Sequence, residues 1–256
     1  MHFVQIDAQR YAQFPRLRQA GGLVHAFSTR PADLAQRDDE GAAQRAAARR
    51  TMVMDWGLDP TQLHYCEQVH EPRLIVVDEA CPAGLHMGCD GAVTALPNVP
   101  LMTFSADCPL VLAYDPRRRV LGMAHASWRC TVARMTARLV ERVQVQFGCR
   151  PADLLAGVGP GAGPCCYEVQ EDVYEAAAEL AARDRFFQRR DGRLYFDLWE
   201  ANRAQLLEMG VAAEQVELAG LCTLCHNDVF YSYRRAGPGC GHFALLAALC
   251  ESPRGE

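Results

Sequence analysis

Residues 101–129 read LMTFSADCPLVLAYDPRRRVLGMAHASWR, and this stretch decides how the chain is built. It holds three apolar runs, at 101–104, 110–114 and 120–124, each short and separated from the next by polar or proline-containing segments. Runs of that length predict strands buried within a sheet rather than helices. Cys108 and His125 then fall at strand ends, where a rigid sheet can hold side chains in fixed positions. Directly afterwards the period changes. Val132, Met135, Leu139 and Val143 form one stripe at helical spacing, which predicts a helix over 128–147 with Gly148 as its stop.

Working outward, the same signals predict strands at 22–28, 74–78, 92–94, 154–158, 216–218, 229–233 and 243–246. Helices are expected at 42–56, 171–183 and 198–209. Strands and helices mix without a strict βαβ rhythm, and neither a repeat nor a low-complexity linker interrupts them. Residues 1–256 therefore read as a single mixed α/β domain.

Half of the 256 residues are hydrophobic, enough to bury a substantial core. The net charge of −5 carries no single-sign block, so nothing points to a nucleic-acid surface or a polybasic membrane contact. The chain contains no lysine, which excludes lysine Schiff-base chemistry and a Walker-type phosphate loop. The first residues lack the charged and apolar regions of a signal peptide, and no run approaches the roughly 20 apolar residues of a membrane span. A cytoplasmic location is the expectation. Twelve cysteines spread along such a chain are then expected as free thiols or metal ligands rather than disulfides.

Three segments carry the chemistry: Glu67-Gln68-Val69-His70, Ser105-Ala106-Asp107-Cys108 and His125-Ala126-Ser127-Trp128-Arg129. His70, Cys108 and His125 supply two imidazoles and one thiolate. Three protein ligands leave a fourth position open, the arrangement of catalytic zinc. The same residue types also suit a cysteine nucleophile, with Cys108 activated by His70 or His125.

The segments Gln68-Val69-His70, Asp90-Gly91-Ala92-Val93-Thr94, Ala106-Asp107-Cys108-Pro109, His125-Ala126-Ser127-Trp128-Arg129, Val158-Gly159-Pro160, Tyr167-Glu168-Val169, Asp197-Leu198, Cys222-Thr223 and Phe230-Tyr231-Ser232-Tyr233-Arg234-Arg235 occur in order over roughly residues 60–246. Together they resemble the bacterial purine nucleoside phosphorylase family, long described as multicopper polyphenol oxidase or laccase-domain proteins. The resemblance implies a layered α/β/β/α sandwich with mixed sheets, and zinc held by His70, Cys108 and His125. It also implies phosphorolysis of adenosine, inosine, guanosine and methylthioadenosine, with adenosine deamination as a second activity. A purine nucleoside and phosphate are then the small-molecule partners.

That chemistry assigns roles to neighbouring residues. Zinc with an open position acidifies water for deamination, placing Cys108 and His125 at the reaction centre. Arg129, in the first turn of the predicted helix, would face a phosphate together with free backbone N–H groups. The glycine-rich run 159–163 offers further N–H groups, Arg234 and Arg235 further guanidinium groups, and Asp107 or Glu168 a proton carrier. The sequence departs from the family pattern at Glu71, Ser127, Cys130 and His242. Ser127 and Cys130 replace glycines, and the expectation is a narrowed or altered turn beside Arg129.

Three alternatives stand beside this reading. They are copper-dependent phenol oxidation, a Cys108 hydrolase acting in peptidoglycan precursor editing, and a zinc that merely stabilises the fold. Cys222-Thr223-Leu224-Cys225-His226 matches C-x-x-C-H, but haem attachment belongs to exported proteins. A second zinc site there would need two more ligands from Cys165, Cys166, Cys240 or His242. Otherwise Cys222 marks a family position and Cys225 is incidental.

Overall fold

A computed structural model describes residues 1–37 and 39–250. Its first sheet has seven strands, in spatial order β1 (His2–Ile6), β2 (Gln9–Gln13), β3 (Leu23–Ser28), β16 (Phe243–Leu249), β8 (Leu101–Ser105), β4 (His64–Cys66) and β6 (Gly84–His86). The second has six: β15 (Val216–Leu218), β11 (Leu155–Val158), β9 (Leu110–Asp115), β10 (Val120–His125), β7 (Gly91–Thr94) and β5 (Leu74–Val77). A small third sheet joins β12 (Glu168–Val169), β14 (Arg193–Phe196) and β13 (Phe187–Arg190). Both large sheets are mixed: β4 runs parallel to both β8 and β6 in the first, β5 parallel to β7 and β11 parallel to β15 in the second, and the other neighbours are antiparallel.

Strand periodicity explains why the central runs are apolar throughout. Along β9, Leu110, Leu112 and Tyr114 enter the core between the two sheets, while Val111 and Ala113 face the helices α4 (Met135–Phe147) and α6 (Leu198–Glu208). Along β16, Leu245, Ala247 and Leu249 join the same intersheet core. Its alternate residues Ala244, Leu246 and Ala248 pack with Met52 and Val53 of α2 (Ala42–Asp55). The layers are therefore α2, first sheet, second sheet, and α4 with α6, which is the expected α/β/β/α sandwich.

Phe14, Phe27, Tyr114 and Phe243 are fully buried between the sheets. Each contributes about 1.5–3 kcal/mol by burial, and truncating Phe27 to Ala would cost about 3–5 kcal/mol through the cavity left behind. Helix α4 closes on β10 at Gly122, where a Cβ would lie 2.8 Å from Leu139 Cδ1.

Three expectations are corrected. The helix expected at 128–147 is two, α3 (Trp128–Val132) and α4, because Arg134 adopts left-handed φ of 61° between them. Its guanidinium is anchored by Glu208 at 2.8 and 3.0 Å. The helix expected at 171–183 is only α5 (Glu171–Ala176), followed by a 3-10 turn over Ala177–Glu179. Residues 229–233 form no strand. The N–H groups of Val229 and Phe230 close a turn onto His226 O, and Ser232 caps the short helix α7 (Tyr233–Ala236) by accepting from the Arg235 N–H.

Candidate metal centre

His70, Cys108 and His125 come from three different elements and converge. Their donor atoms all lie within 4.8 Å of one another, with His125 buried, Cys108 half-buried and His70 exposed. His70 follows β4, Cys108 sits in the β8–β9 loop, and His125 ends β10.

The His70 loop is held by two devices. Gln68 imitates a strand neighbour, its Oε1 accepting from Phe104 N–H at 2.7 Å and its Nε2 donating to Phe104 O at 2.8 Å. The buried Asp90, just before β7, accepts from the N–H groups of Val69, His70 and Glu71 at 2.9, 3.1 and 3.1 Å. His70 itself is left-handed, with φ of 62°. The same carboxylate lies 2.7 Å from His125 Nδ1. Burial raises the Asp90 carboxyl, but the His125 contact and the amides outweigh it and hold the group below its ordinary range.

A carboxylate on Nδ1 fixes the histidine tautomer and leaves Nε2 as a lone-pair donor, the usual outer support of a metal-ligating histidine. Burial, then the neighbouring His125, lowers the His70 imidazole, which favours its neutral, metal-donating form. Burial and the Asp107 carboxylate push the Cys108 thiol up; a bound cation would reverse this by stabilising the thiolate.

The cluster opens into a cavity of about 860 Å³ whose wall includes Tyr65, Phe104, Arg129, Tyr167, Arg234 and His242. Arg129 lies over the Trp128 ring at 4.4 Å, and Arg234 lies over Tyr167 at 4.7 Å while donating to Glu168 O at 2.6 Å. Neither guanidinium has a carboxylate partner among the described residues. Both also border an adjoining cleft of about 360 Å³. Burial lowers the His242 imidazole to about 4, so it faces the cavity uncharged.

Asp107 is buried and strained, with φ of 108°. Thr223 Oγ1 donates to its Oδ1 at 2.6 Å and the Arg234 N–H to its Oδ2 at 2.7 Å, so both oxygens are engaged. Glu168 is turned to Arg193 at 3.2 Å.

The glycine run supplies no anion cradle. The N–H groups of Gly159, Gly161, Ala162 and Gly163 go to Leu110 O, Leu221 O, Asp107 O and Cys222 Sγ. The turn beside Arg129 is not distorted either. Ser127 has φ of −58°, which needs no glycine, and its Oγ accepts from the Cys130 N–H at 3.2 Å as the N-cap of α3. Cys130 is buried, close to Asp90. Helix α3 is only five residues long, so its terminus adds little to Arg129 itself. Arg235 is directed to Leu224 O and does not border the cavity, whereas Arg234 does. Asp90 was not singled out as a site residue from sequence; its signal was an acidic residue opening the buried Gly91–Thr94 strand.

A mixed nitrogen–sulfur donor cluster at the strand ends of a two-sheet sandwich defines a family rather than a single activity. The chain belongs to the multi-copper polyphenol oxidoreductase laccase family, whose pattern it matches over residues 16–250. Among its relatives, a purine nucleoside phosphorylase from Deinococcus radiodurans is 36% identical over 253 aligned residues, covering 94% of each chain. One from Bacteroides thetaiotaomicron is 35% identical over 208 residues, 76% of each chain. An adenosine deaminase from an unknown prokaryotic organism is 31% identical over 204 residues, 76% of this chain and 78% of the relative. The crystal structure of the hypothetical protein YfiH from Bacillus licheniformis superposes with a TM-score of 0.89 at 27% identity, covering 96% of this chain and 98% of that one. Among the described residues, no helix is long and apolar enough to cross a membrane.

Proposed function

We propose that this chain is a zinc enzyme acting on purine nucleosides, by phosphorolysis and, with adenosine, by deamination. The observation that carries the proposal is the convergence of His70, Cys108 and Asp90-supported His125 on a cavity bordered by Arg129 and Arg234, neither of which has a carboxylate partner among the described residues. Two imidazoles and a thiolate suit zinc, and three ligands leave one position for substrate or water. Bound there, zinc supplies Lewis-acid polarisation and activation of water.

The rest of the chemistry belongs to the side chains. Arg129 and Arg234 border the cavity where a phosphate dianion would be held against the ribose, and charge-assisted contacts to guanidinium groups suit its oxygens. Their positive charge also favours the anion over water as the partner of the developing oxocarbenium centre. Tyr65, Phe104 and Tyr167 offer aromatic surface to a planar base. Asp107, with both oxygens engaged, positions the turn that presents Cys108 and links it to Arg234.

Copper chemistry of the multicopper type fits this donor set poorly. His25 is buried against Phe14, His64 and His86 bond to each other, and His2 and His226 do not line the cavity, so among the described residues three histidines, His70, His125 and His242, border it. Such oxidases need many histidines around several coppers.

The test is product analysis on metal-quantified protein with adenosine or inosine, with and without phosphate. Free base and ribose 1-phosphate should form only with phosphate, and inosine should form from adenosine without it. Zinc-loaded protein that yields neither would end the proposal; several coppers per chain with phenol oxidation would replace it.

A further inference from the structure

The described residues hold a second donor cluster that the nucleoside chemistry does not use. Cys165, Cys166, Cys222 and Cys225 place all four sulfurs within 4.8 Å of one another. Cys225 Sγ lies 3.7 Å from Cys165 Sγ and 3.5 Å from Cys166 Sγ. Zinc–sulfur bonds of about 2.3 Å in a tetrahedron set the sulfurs about 3.8 Å apart, so these separations match the edges of a tetrathiolate site. They are far longer than a disulfide bond of about 2.05 Å, and all four cysteines are free thiols. A two-iron cluster would divide the thiolates between two metal ions and spread them further.

The backbone around the cluster is built as a metal knuckle. Cys222-Thr223-Leu224-Cys225 is a C-x-x-C turn closed by the His226 N–H onto Cys222 O. The Gly163 N–H donates to Cys222 Sγ at 3.3 Å. The facing loop turns through Cys166 and Tyr167 N–H bonds to Gly163 O. The two segments are already joined by Gly161 N–H to Leu221 O and Thr223 N–H to Gly161 O. Cys225, read from sequence as incidental, is thus the residue that touches both facing thiols. Cys165 and Cys166 are the two further thiols of the cluster, and neither Cys240 nor His242 belongs to it.

We propose that Cys165, Cys166, Cys222 and Cys225 bind one zinc ion as a closed, structural tetrathiolate site, separate from the His70, Cys108 and His125 centre. Binding releases the thiol protons to solvent and leaves no open position, so this ion does no chemistry. It fastens the loop that carries Tyr167 to the turn that carries Thr223. Both reach the cavity, Tyr167 as wall and Thr223 through its bond to Asp107. None of the four cysteine ligands is a residue on which the nucleoside reading depends, and either proposal can fail alone.

The test is metal stoichiometry and sulfur coordination in the full-length protein. Wild type should hold two zinc ions per chain. His70→Ala should retain one, bound by four sulfurs in X-ray absorption, and cobalt substitution of that variant should give the intense visible bands of a tetrathiolate. Cys225→Ser should lose one equivalent and keep the ion with nitrogen and sulfur ligands. Should a variant not fold, the wild-type stoichiometry and average coordination still decide. Wild type with no ion bound by four sulfurs, or a disulfide between Cys225 and either facing cysteine in freshly purified protein, would overturn the proposal; a single ion bound by four sulfurs would support it and count against the cavity metal instead.

Discussion

The described residues include two His-Cys-His trios, and they differ in whether they have the form of a reaction centre. His64, Cys81 and His86 cluster as closely as His70, Cys108 and His125 do. In the former, His64 Nδ1 and His86 Nε2 bond to each other at 2.9 Å, the rings stack at 5.1 Å, and Cys81 Sγ lies 4.0 Å from the remaining His86 nitrogen. Both nitrogens of His86 are thus engaged within the trio. In the latter the rings stand nearly perpendicular, at 78°, and Asp90 occupies His125 Nδ1, so the free donors point at a shared volume. Identical donor lists therefore differ in what surrounds them, and the outer carboxylate makes the distinction.

The largest effect that would break this contrast is removal of a donor from the cavity trio. Cys108→Ala or His125→Ala should abolish binding of the cavity metal and reduce nucleoside turnover to background, measured by metal analysis and product chromatography. His64→Ala should leave both intact. Asp90→Asn keeps the shape and removes the charge that supports His125. It should weaken metal affinity by about 10–100-fold, read by competition with a chelator, because outer partners carry effects of that size. Unchanged affinity would show that Asp90 serves the Val69 to Glu71 loop alone.

Arg129→Gln tests the cavity rather than the metal. It should raise the apparent KM for phosphate by roughly tenfold or more, as expected for one charged hydrogen bond, with phosphate-independent deamination little altered. The smallest effect belongs to the other trio. Burial lowers the His64 and His86 imidazoles, with His86 also lowering His64. Their folded values lie below the unfolded value of about 6.5, so the unfolded chain binds more protons as acid is added. Stability from the pair is present above that pH and declines as pH falls through the two folded values. Denaturant titrations should show a shallower acid decline in His64→Ala, and an unchanged slope would remove the pair from the acid response.

How much of this was legible depended on what each residue reports locally. Residues of β8, β9, β10 and β16 announced themselves because both their faces are buried, which leaves continuous apolar runs. The β1–β2 hairpin has a first strand with no fully buried residue, and β4 and β6 have three residues each, too little pattern to read. Residues 229–233 misled because Phe230 and Tyr231 are buried aromatics in a turn, where burial mimics a strand run. The break at Arg134 rests on a left-handed residue that is not glycine, and no propensity signals it. At the site, Cys108 and His125 were readable from their positions at strand ends, and His70 from the short segment Gln68-Val69-His70. Asp90 was not, because an aspartate before glycine signals a turn, and its four contacts come from segments 19–35 residues away. Nor was the engagement of the glycine run, whose amides are consumed by long-range partners.

The position of β16 between β3 and β8 bears on how the protein is made. A ribosome adding roughly 5–20 residues per second needs on the order of ten seconds to pass from the end of β8 to the start of β16. Throughout that interval the nascent first sheet lacks its middle, and two apolar strands present open hydrogen-bonding edges to other chains. Synthesis of the last strand at the centre makes the growing chain, rather than the finished one, the state most exposed to aggregation.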